Sequence, residues 1–346
     1  MKARLATIAT FTAIITAVGI SAPALSQATS NKVVVAQGTD SLIFMPAYVA
    51  KAKGYFAEEG LDGDIKIFRG GVQALAGVMA GDAHVYIGPP STAMKAIEKG
   101  QDITVFAANM TQIPTNIVIQ GEVAKSRNIT ANSSIEDKLK ALRGLTMGVN
   151  AAGSAPDQVL RFAARSVGID PDKDMRVSPV GAGAALIGSF EQKRIDGFAF
   201  SSPASDIAVD KFGGLMVVNF AKGEYAPLRG FLYLSLISRT DWLKQDPQRA
   251  AKTVRAFWKA QKLINEKPDE ARAAVRTFFP AMDEEAFNGG FAANAITIPP
   301  TVRIDRKSVV MNKEFSEAVE NIKLNVDVDR VFTNEYVDLA EKMGKI

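Results

Sequence analysis

Cysteine is absent from the 346-residue sequence, and histidine occurs only once, at His84. Without cysteine the chain has no thiolate nucleophile, no zinc–thiolate or iron–sulfur site and no disulfide. A Ser-His-Asp triad would have to use His84, which begins a predicted strand, away from that strand's carboxyl end, and is expected to be structural. We therefore expect no enzymatic activity, no bound metal and no cofactor.

Charge of one sign is not concentrated anywhere in the chain. Lys and Arg total 41 and Asp and Glu total 37, interspersed throughout, for a net charge of +4. Nucleic-acid binding needs a clustered basic surface, so we expect no nucleic-acid partner. A hydrophobic content of 47% is typical of a globular protein. The length allows one large domain or two medium ones, each with its own core.

Long apolar runs are also lacking, apart from one at the N-terminus. The run Leu5–Ile20 follows two basic residues and precedes several small ones, the order of a secretory signal peptide. We expect residues 1–26 to be removed by cleavage after Ser26, with Ala24 the alternative, and the remaining chain to be periplasmic. No later segment has about 18 consecutive apolar residues, the length of a membrane span.

Short β-rich runs alternate with helical patterns over much of the chain, beginning with the predicted strand Lys32–Gln37. Repeated β-α-β units imply a parallel sheet with right-handed crossovers. The pattern restarts after a polar segment, Glu122–Ser133, and becomes helical after the predicted strand Phe231–Ser238. We predict two α/β lobes, residues 27–120 plus 225–346 and residues 121–224, with the C-terminal helices packed on the first lobe.

Loops that follow the predicted strands are rich in hydroxyl, amide and small residues. Ligands of open α/β sheets bind beyond the carboxyl ends of the strands, and helix N-termini attract anions. We therefore expect a binding cleft between the lobes. The predicted ligand-binding residues are Thr39, Asp40, Ser41, Phe44, Arg69, Gly70, Pro89, Ser91, Asn109, Asn150, Gly153, Ser154, Ser201 and Asp206.

Two of these residues have an alternative interpretation. Arg69 ends a predicted strand just before two glycines, where its guanidinium can clamp a carboxylate, sulfonate or phosphate with two parallel hydrogen bonds. A solvated arginine or an interlobe salt bridge is equally compatible with the sequence. Phe44 is a candidate for an aromatic wall of the cleft or for the core.

Several stretches resemble the solute-binding proteins of ABC importers, in the branch for nitrate, sulfonate, taurine and thiamine-pyrimidine ligands. The matching stretches are Met45–Asp62, Ala74–Ala107, Leu142–Asp170 and, more weakly, Ile195–Asp206. The resemblance implies an α/β, two-lobed type II periplasmic binding protein fold that closes over a small molecule. It implies an ABC permease and its ATPase as partners, and the loops named above as the lining of the cleft. His84 departs from the acidic or small residue expected there.

The function we expect from these features is capture of a small organic anion, such as a sulfonate, taurine or a carboxylate, for delivery to a permease. We expect the protein to act as a monomer. One alternative is a neutral thiamine-pyrimidine-type ligand, stacked on an aromatic ring and paired with Asp40 or Asp206. Another is a periplasmic ligand sensor, whose sequence would look the same.

Overall fold

Two mixed five-stranded sheets organise the chain. The structure is a computed structural model that describes residues 31–346, so the predicted signal peptide, residues 1–26, lies outside the described residues. The strands within that range are β1 (Lys32–Gln37), β2 (Asp62–Ile67), β3 (Val85–Gly88), β4 (Ile103–Thr111), β5 (Asn116–Ile119), β6 (Thr146–Val149), β7 (Arg176–Pro179), β8 (Gly197–Phe200), β9 (Leu215–Asn219) and β10 (Leu232–Arg239).

Sheet 1 has the strand order β2-β1-β3-β10-β4, and sheet 2 has the order β7-β6-β8-β5-β9. β1 shows why these segments form strands: it is a run of mostly apolar, β-branched residues, and all but its first residue are buried, as expected for a strand covered on both faces. Its predicted bounds are confirmed.

One strand in each sheet runs against its neighbours, so the prediction of purely parallel sheets is wrong. β10 is antiparallel to β3 and β4, and β5 is antiparallel to β8 and β9. Hydrophobic pattern identifies a strand but not its direction, which depends on where the chain returns. β5, which the predicted boundaries gave to the first lobe, pairs in sheet 2. The division into lobes at 120 and 225 stays a prediction.

Helices cover both sheets. Those in the described range are α1 (Met45–Ala52), α2 (Tyr55–Glu58), α3 (Gly71–Ala80), α4 (Pro90–Glu98), α5 (Gly121–Ser126), α6 (Ile135–Lys140), α7 (Ala155–Ser166), α8 (Ala184–Glu191), α9 (Ala204–Asp210), α10 (Thr240–Gln245), α11 (Pro247–Glu266), α12 (Pro268–Arg276), α13 (Glu284–Ala295), α14 (Arg306–Glu320) and α15 (Glu335–Lys342). None of them is long and apolar enough to cross a membrane.

Local sequence signals set many of the helix starts. The hydroxyl of Ser134 accepts a hydrogen bond from the backbone N–H of Asp137 and so caps the start of α6. Asp246 does the same for Arg249 at the start of α11, and Pro247 occupies the first helical position. The short helices α2, α5 and α10 were not predicted, because they are too short for an apolar periodicity to show.

The C-terminal helices pack on sheet 1, as predicted. α11 lies against α1 and α2, and α15 lies against β4. Their apolar faces share a core with that sheet, in which Phe257 of α11 and Phe106 of β4 are fully buried. α14 packs on α4 and β10 but also contacts α7, which belongs to sheet 2. This helix therefore bridges the two sheets.

Candidate functional site

The loops after β1 and β2 touch through their glycines. The N–H of Gly70 donates to the carbonyl of Gly38 at 2.7 Å. A Cβ on Gly38 would lie only 2.7 Å from the backbone nitrogen of Gly71, and Gly70 has a φ of 110°, which favours glycine. The predicted residues Thr39, Asp40 and Ser41 therefore lie beside Arg69 and Gly70.

Asp40 is held in place by a buried tyrosine. The hydroxyl of Tyr48 donates to Oδ1 of Asp40 at 3.0 Å and accepts a hydrogen bond from Nε2 of Gln37. Burial, together with the negative charge of Asp40, raises the pKa of Tyr48 well above its usual range, so this phenol stays a neutral donor. Asp40 itself is exposed, and its carboxylate lies at the rim of sheet 1.

Arg69 is exposed at the end of β2. Its guanidinium forms no ion pair or hydrogen bond with any residue between 31 and 346, so the interlobe salt bridge considered from the sequence is not formed there. All of its donors are available to a ligand or to water.

Two predicted residues of sheet 1 lie inside the fold. Phe44 is only 4% exposed and belongs to the core shared with the C-terminal helices, which is the core role considered above. Asn109 is fully buried at a bulge where β10 pairs with Ala108 and Met110 but skips Asn109. Neither polar atom of its side chain has a hydrogen-bond partner within the described range. Contact of either residue with ligand stays a prediction.

In sheet 2 the predicted residues order the start of α7. Ser154 donates to Oδ1 of Asn150 at 2.6 Å, and the N–H of Gly153 donates to the buried carboxylate of Asp157 at 2.7 Å. Asp157 also pairs with Arg161, Nε to Oδ1, at 2.6 Å. These bonds hold the loop and the helix N-terminus in one geometry.

Elements associated with both sheets line a cavity of about 170 Å³. Pro89 and Ser91, at the N-terminus of α4, line it from sheet 1, and Ala155, at the N-terminus of α7, lines it from sheet 2. The first turn of an α-helix leaves its N–H groups without an internal partner. Pro90 and Pro156 have no N–H, so the remaining N–H groups of these two first turns are the backbone donors beside this partly open cavity.

The cavity also has lining residues that the sequence did not point to. Side chains of β10, α7 and α14 complete its wall: Gln158, Tyr233, Asn312, Phe315, Ser316 and Glu320. The sequence reading considered only loops that follow strands, whereas these residues lie within elements. The one feature that could have indicated them is that polar side chains such as Asn312 lie on helix faces that are otherwise apolar and buried.

Asp206 and Ser201 do not line this cavity. Asp206 lines a wider, open cleft of about 810 Å³ between α9 of sheet 2 and the start of α13, along with four further carboxylates and Lys211. The two elements approach closely there, since a Cβ on Gly289 would lie 3.1 Å from Cβ of Pro203. Ser201 is half-buried just before α9. Of the predicted residues, Pro89 and Ser91 line the first of these spaces and Asp206 lines the second, whereas the others line neither.

His84 lies outside both parts, as the sequence indicated. Its Nδ1 accepts a hydrogen bond from the N–H of Val34 at 2.9 Å, and its ring stacks on Trp242 with centroids 5.5 Å apart. Burial lowers the pKa of His84, and the positive charges of Arg249, Arg239 and Lys32 lower it further. The neutral imidazole is a structural acceptor.

We expect His84 to make stability depend on pH. Because its folded-state pKa is lowered, the unfolded chain binds the proton at higher pH, so this stabilisation is present above about pH 6.5 and is lost as the pH falls through the folded-state pKa. The substitution His84→Gln, which keeps an acceptor for Val34, should flatten the fall of the melting temperature between about pH 7 and pH 5. Equal slopes for the two proteins would contradict this assignment.

Residues 31–346 contain no group of three or more His, Asp or Glu side chains placed to hold a metal ion.

Comparison with known proteins identifies the architecture. The sequence profile of the NMT1-like family matches residues 39–278. The putative binding protein YtlA of Bacillus subtilis (strain 168) is 24% identical over 261 residues, which cover 74% of this chain and 73% of YtlA.

Solved structures are similar over nearly the whole chain. The periplasmic aliphatic sulphonate binding protein SsuA of Escherichia coli superposes with a TM-score of 0.66 at 15% identity, covering 88% of this chain and 99% of SsuA. The periplasmic nitrate-binding protein NrtA of Synechocystis PCC 6803 gives 0.59 at 13% identity, covering 91% and 89%. The predicted two-lobed α/β fold of periplasmic binding proteins is confirmed.

Proposed function

The chain belongs to the NMT1-like family and has the two-lobed fold of periplasmic binding proteins, and from this premise we propose that it is the substrate-binding subunit of an ABC importer. It captures a small organic anion, a sulfonate, taurine or a carboxylate, between its two sheets. It acts in the periplasm as a monomer, after removal of residues 1–26, and passes its ligand to a permease driven by an ATPase.

The observation that carries this proposal is the convergence of two helix N-termini on one cavity. α4 is positioned by sheet 1 and α7 by sheet 2, so an anion between them would contact both halves of the protein. Each N-terminus carries roughly half a positive charge from the helix dipole. Binding energy that is gained only when both halves contact the ligand favours the closed arrangement.

The relatives support an oxyanion as the ligand class. SsuA is a sulfonate-binding protein and NrtA a nitrate-binding protein. Arg69, exposed and without an ion pair in the described range, would add a full positive charge at the rim.

Binding without turnover is part of the proposal. The sequence has no cysteine, and its one histidine accepts a backbone hydrogen bond away from the cavity. A serine nucleophile activated by histidine would therefore lack its base, and a cysteine nucleophile is absent.

Thermal-shift measurements followed by titration calorimetry test the ligand class. Alkanesulfonates, taurine, nitrate, aromatic dicarboxylates and thiamine pyrimidines are each added to the purified protein. We expect the sulfonates or carboxylates to raise the melting temperature, because a ligand that binds only the folded state stabilises it. A shift with pyrimidines alone would replace the anion by the neutral ligand, and product formation from any ligand would contradict binding without turnover.

The same titration with the Arg69→Ala variant tests whether the positive charge of Arg69 contributes to anion binding. We expect affinity for an anion to fall about ten-fold, the effect of one charge-assisted hydrogen bond. Arg194→Ala is the matched control, because Arg194 is also exposed and forms no ion pair within the described range. Unlike Arg69, which follows a strand, Arg194 precedes one, β8, and so lies near the amino end of that strand. Equal losses for the two variants would remove Arg69 from the site.

A further inference from the structure

Apolar side chains form most of the wall of the cavity between α4 and α7. Eight of its thirteen lining residues are aliphatic or aromatic, and two of these, Ile113 and Val159, are each only 1% exposed. A water molecule in a buried space needs two to four polar partners. A wall of this composition therefore favours a hydrocarbon group over water.

Three of the lining residues are aromatic: Phe231, Tyr233 and Phe315. The rings of Phe231 and Phe315 pack edge to face, with centroids 5.3 Å apart and ring planes at 71°. Aromatic rings attract one another in this geometry at centroid distances of about 4.5–7 Å, and the attraction adds to the gain from burial. A flat ring in the cavity would extend this pair into a larger aromatic cluster, which an aliphatic group cannot do.

The volume of the cavity corresponds to one benzene ring. An engineered cavity of about 150 Å³ lined by Leu, Ile and Phe stays dry and binds benzene, and the cavity between α4 and α7 measures about 170 Å³. A chain of one or two carbons would leave much of this space empty, and the side chains around a void lose their contacts. Size and wall chemistry together therefore favour a single six-membered ring.

Polar groups at the two helix starts give the cavity a place for an acid group. Ser91 lies in the first turn of α4 and Gln158 in the first turn of α7, and both line the cavity. Glu320, the one charged lining residue, accepts hydrogen bonds from Nζ of Lys95 through both carboxylate oxygens, one of them at 2.6 Å. This pairing offsets the repulsion that Glu320 alone would exert on an anion.

We propose that the ligand is an aromatic anion, a sulfonate or carboxylate carried by a single benzene ring. The ring lies in the cavity against Ile113, Phe231 and Phe315, and the acid group lies at the first turns of α4 and α7. The proposal rests on the binding function proposed above and specifies the hydrocarbon part of the ligand.

Calorimetry with three sulfonates tests the ring. Benzenesulfonate and cyclohexanesulfonate have the same number of carbons, whereas ethanesulfonate has four fewer. We expect benzenesulfonate to bind at least about thirty-fold more tightly than ethanesulfonate, because the additional carbons leave water for an apolar wall. It should bind at least about three-fold more tightly than cyclohexanesulfonate, since only an aromatic ring gains the edge-to-face attraction.

Filling the cavity tests where the ring lies. Ala155 is the first residue of α7 and lines the cavity, so the larger side chain of Ala155→Leu takes up space that the ring needs. This variant should bind benzenesulfonate at least about ten-fold more weakly and reduce its advantage over ethanesulfonate to about three-fold. The matched control is Ala184→Leu, at the exposed first residue of α8 and outside the cavity, which should keep the full advantage.

A second pair of variants keeps the test decisive if Ala155→Leu does not fold. Phe315→Leu removes an aromatic wall and should abolish the preference for benzenesulfonate over cyclohexanesulfonate. Phe162→Leu is its control, because the ring of Phe162 packs on that of Phe315 with centroids 5.0 Å apart but does not line the cavity. Phe162→Leu should therefore retain the preference.

Several results would overturn the inference and leave the binding function to the wider screen above. They are a benzenesulfonate affinity no higher than that of ethanesulfonate, an equal affinity for cyclohexanesulfonate, and equal effects of the two substitutions within either pair of variants. If no compound of the wider screen binds, the proposed binding function fails as well.

Discussion

Replacing Arg255 with Met is expected to lower the free energy of unfolding by about 3–5 kcal/mol, because it removes one partner of a buried ion pair. Nε of Arg255 lies 3.0 Å from Oε2 of Glu59, and their side chains are only 10% and 7% exposed. The same guanidinium donates to the carbonyls of Ala340 and Gly344 at 3.0 and 2.7 Å. It therefore joins α2, α11 and the C-terminal end of α15.

Equilibrium denaturation in urea measures this loss. Lys259 remains as a second cation for Glu59, with Nζ 2.6 Å from Oε1, which favours the lower end of the range. The control is Arg303→Met, whose ion pairs with Asp338 and Glu341 are solvent-exposed and are expected to contribute less than about 1 kcal/mol. Similar losses of unfolding free energy for the two variants would contradict the claim that the buried ion pair stabilises the fold more than the exposed ones.

Gly38→Ala is expected to weaken ligand binding by at least about ten-fold and to cost about 1–3 kcal/mol of stability. The added Cβ would lie 2.7 and 2.8 Å from backbone atoms of Gly71 and Gly70. Backbone atoms cannot turn aside as a flexible side chain can, so the loops after β1 and β2 must separate. Separation would displace Arg69 together with the predicted ligand-binding residues Thr39, Asp40 and Ser41.

Gly188→Ala in α8 is the matched substitution. A Cβ there meets no atom within 4 Å, and its φ is not in the left-handed region. Alanine favours a helix over glycine by about 1 kcal/mol, so this variant should bind ligand normally and melt at the same or a higher temperature. Calorimetry and thermal melts of both variants give the comparison, and normal binding by Gly38→Ala would show that the loops tolerate separation.

The sequence predicted elements best where local signals are strong. β1 has its predicted bounds, because a continuous, largely β-branched run defines it. The long helix α11 begins at the Asp246-Pro247 pair, a strong local signal for a helix start. Gln261, a polar residue of α11, is buried and donates to the carbonyl of Ala108 at 2.9 Å. Strand direction was not predictable. The antiparallel directions of β10 and β5 are set by the path of the chain between the sheets and not by the residues of the strands themselves.

The candidate site was partly predictable for the same reason. Loops after strands have a recognisable chemistry, and the structure places Pro89 and Ser91 on the cavity wall. Tyr233 lies within β10 and Asn312 lies within α14. They lie near α7 because α14 packs against both β10 and α7. Such a meeting depends on tertiary contacts between residues far apart in the chain, which local pattern does not encode.

The position of β10 also affects the order in which the protein can fold. This strand lies between β3 and β4 in sheet 1, and Ser235 donates to the carbonyl of Gly88, 147 residues earlier. β3 and β4 therefore have no shared neighbour until more than two-thirds of the chain has been synthesised. Contacts of such long range slow folding. For the export proposed above this delay is favourable, because a nascent chain that cannot yet close its first sheet stays unfolded long enough to be threaded through a membrane.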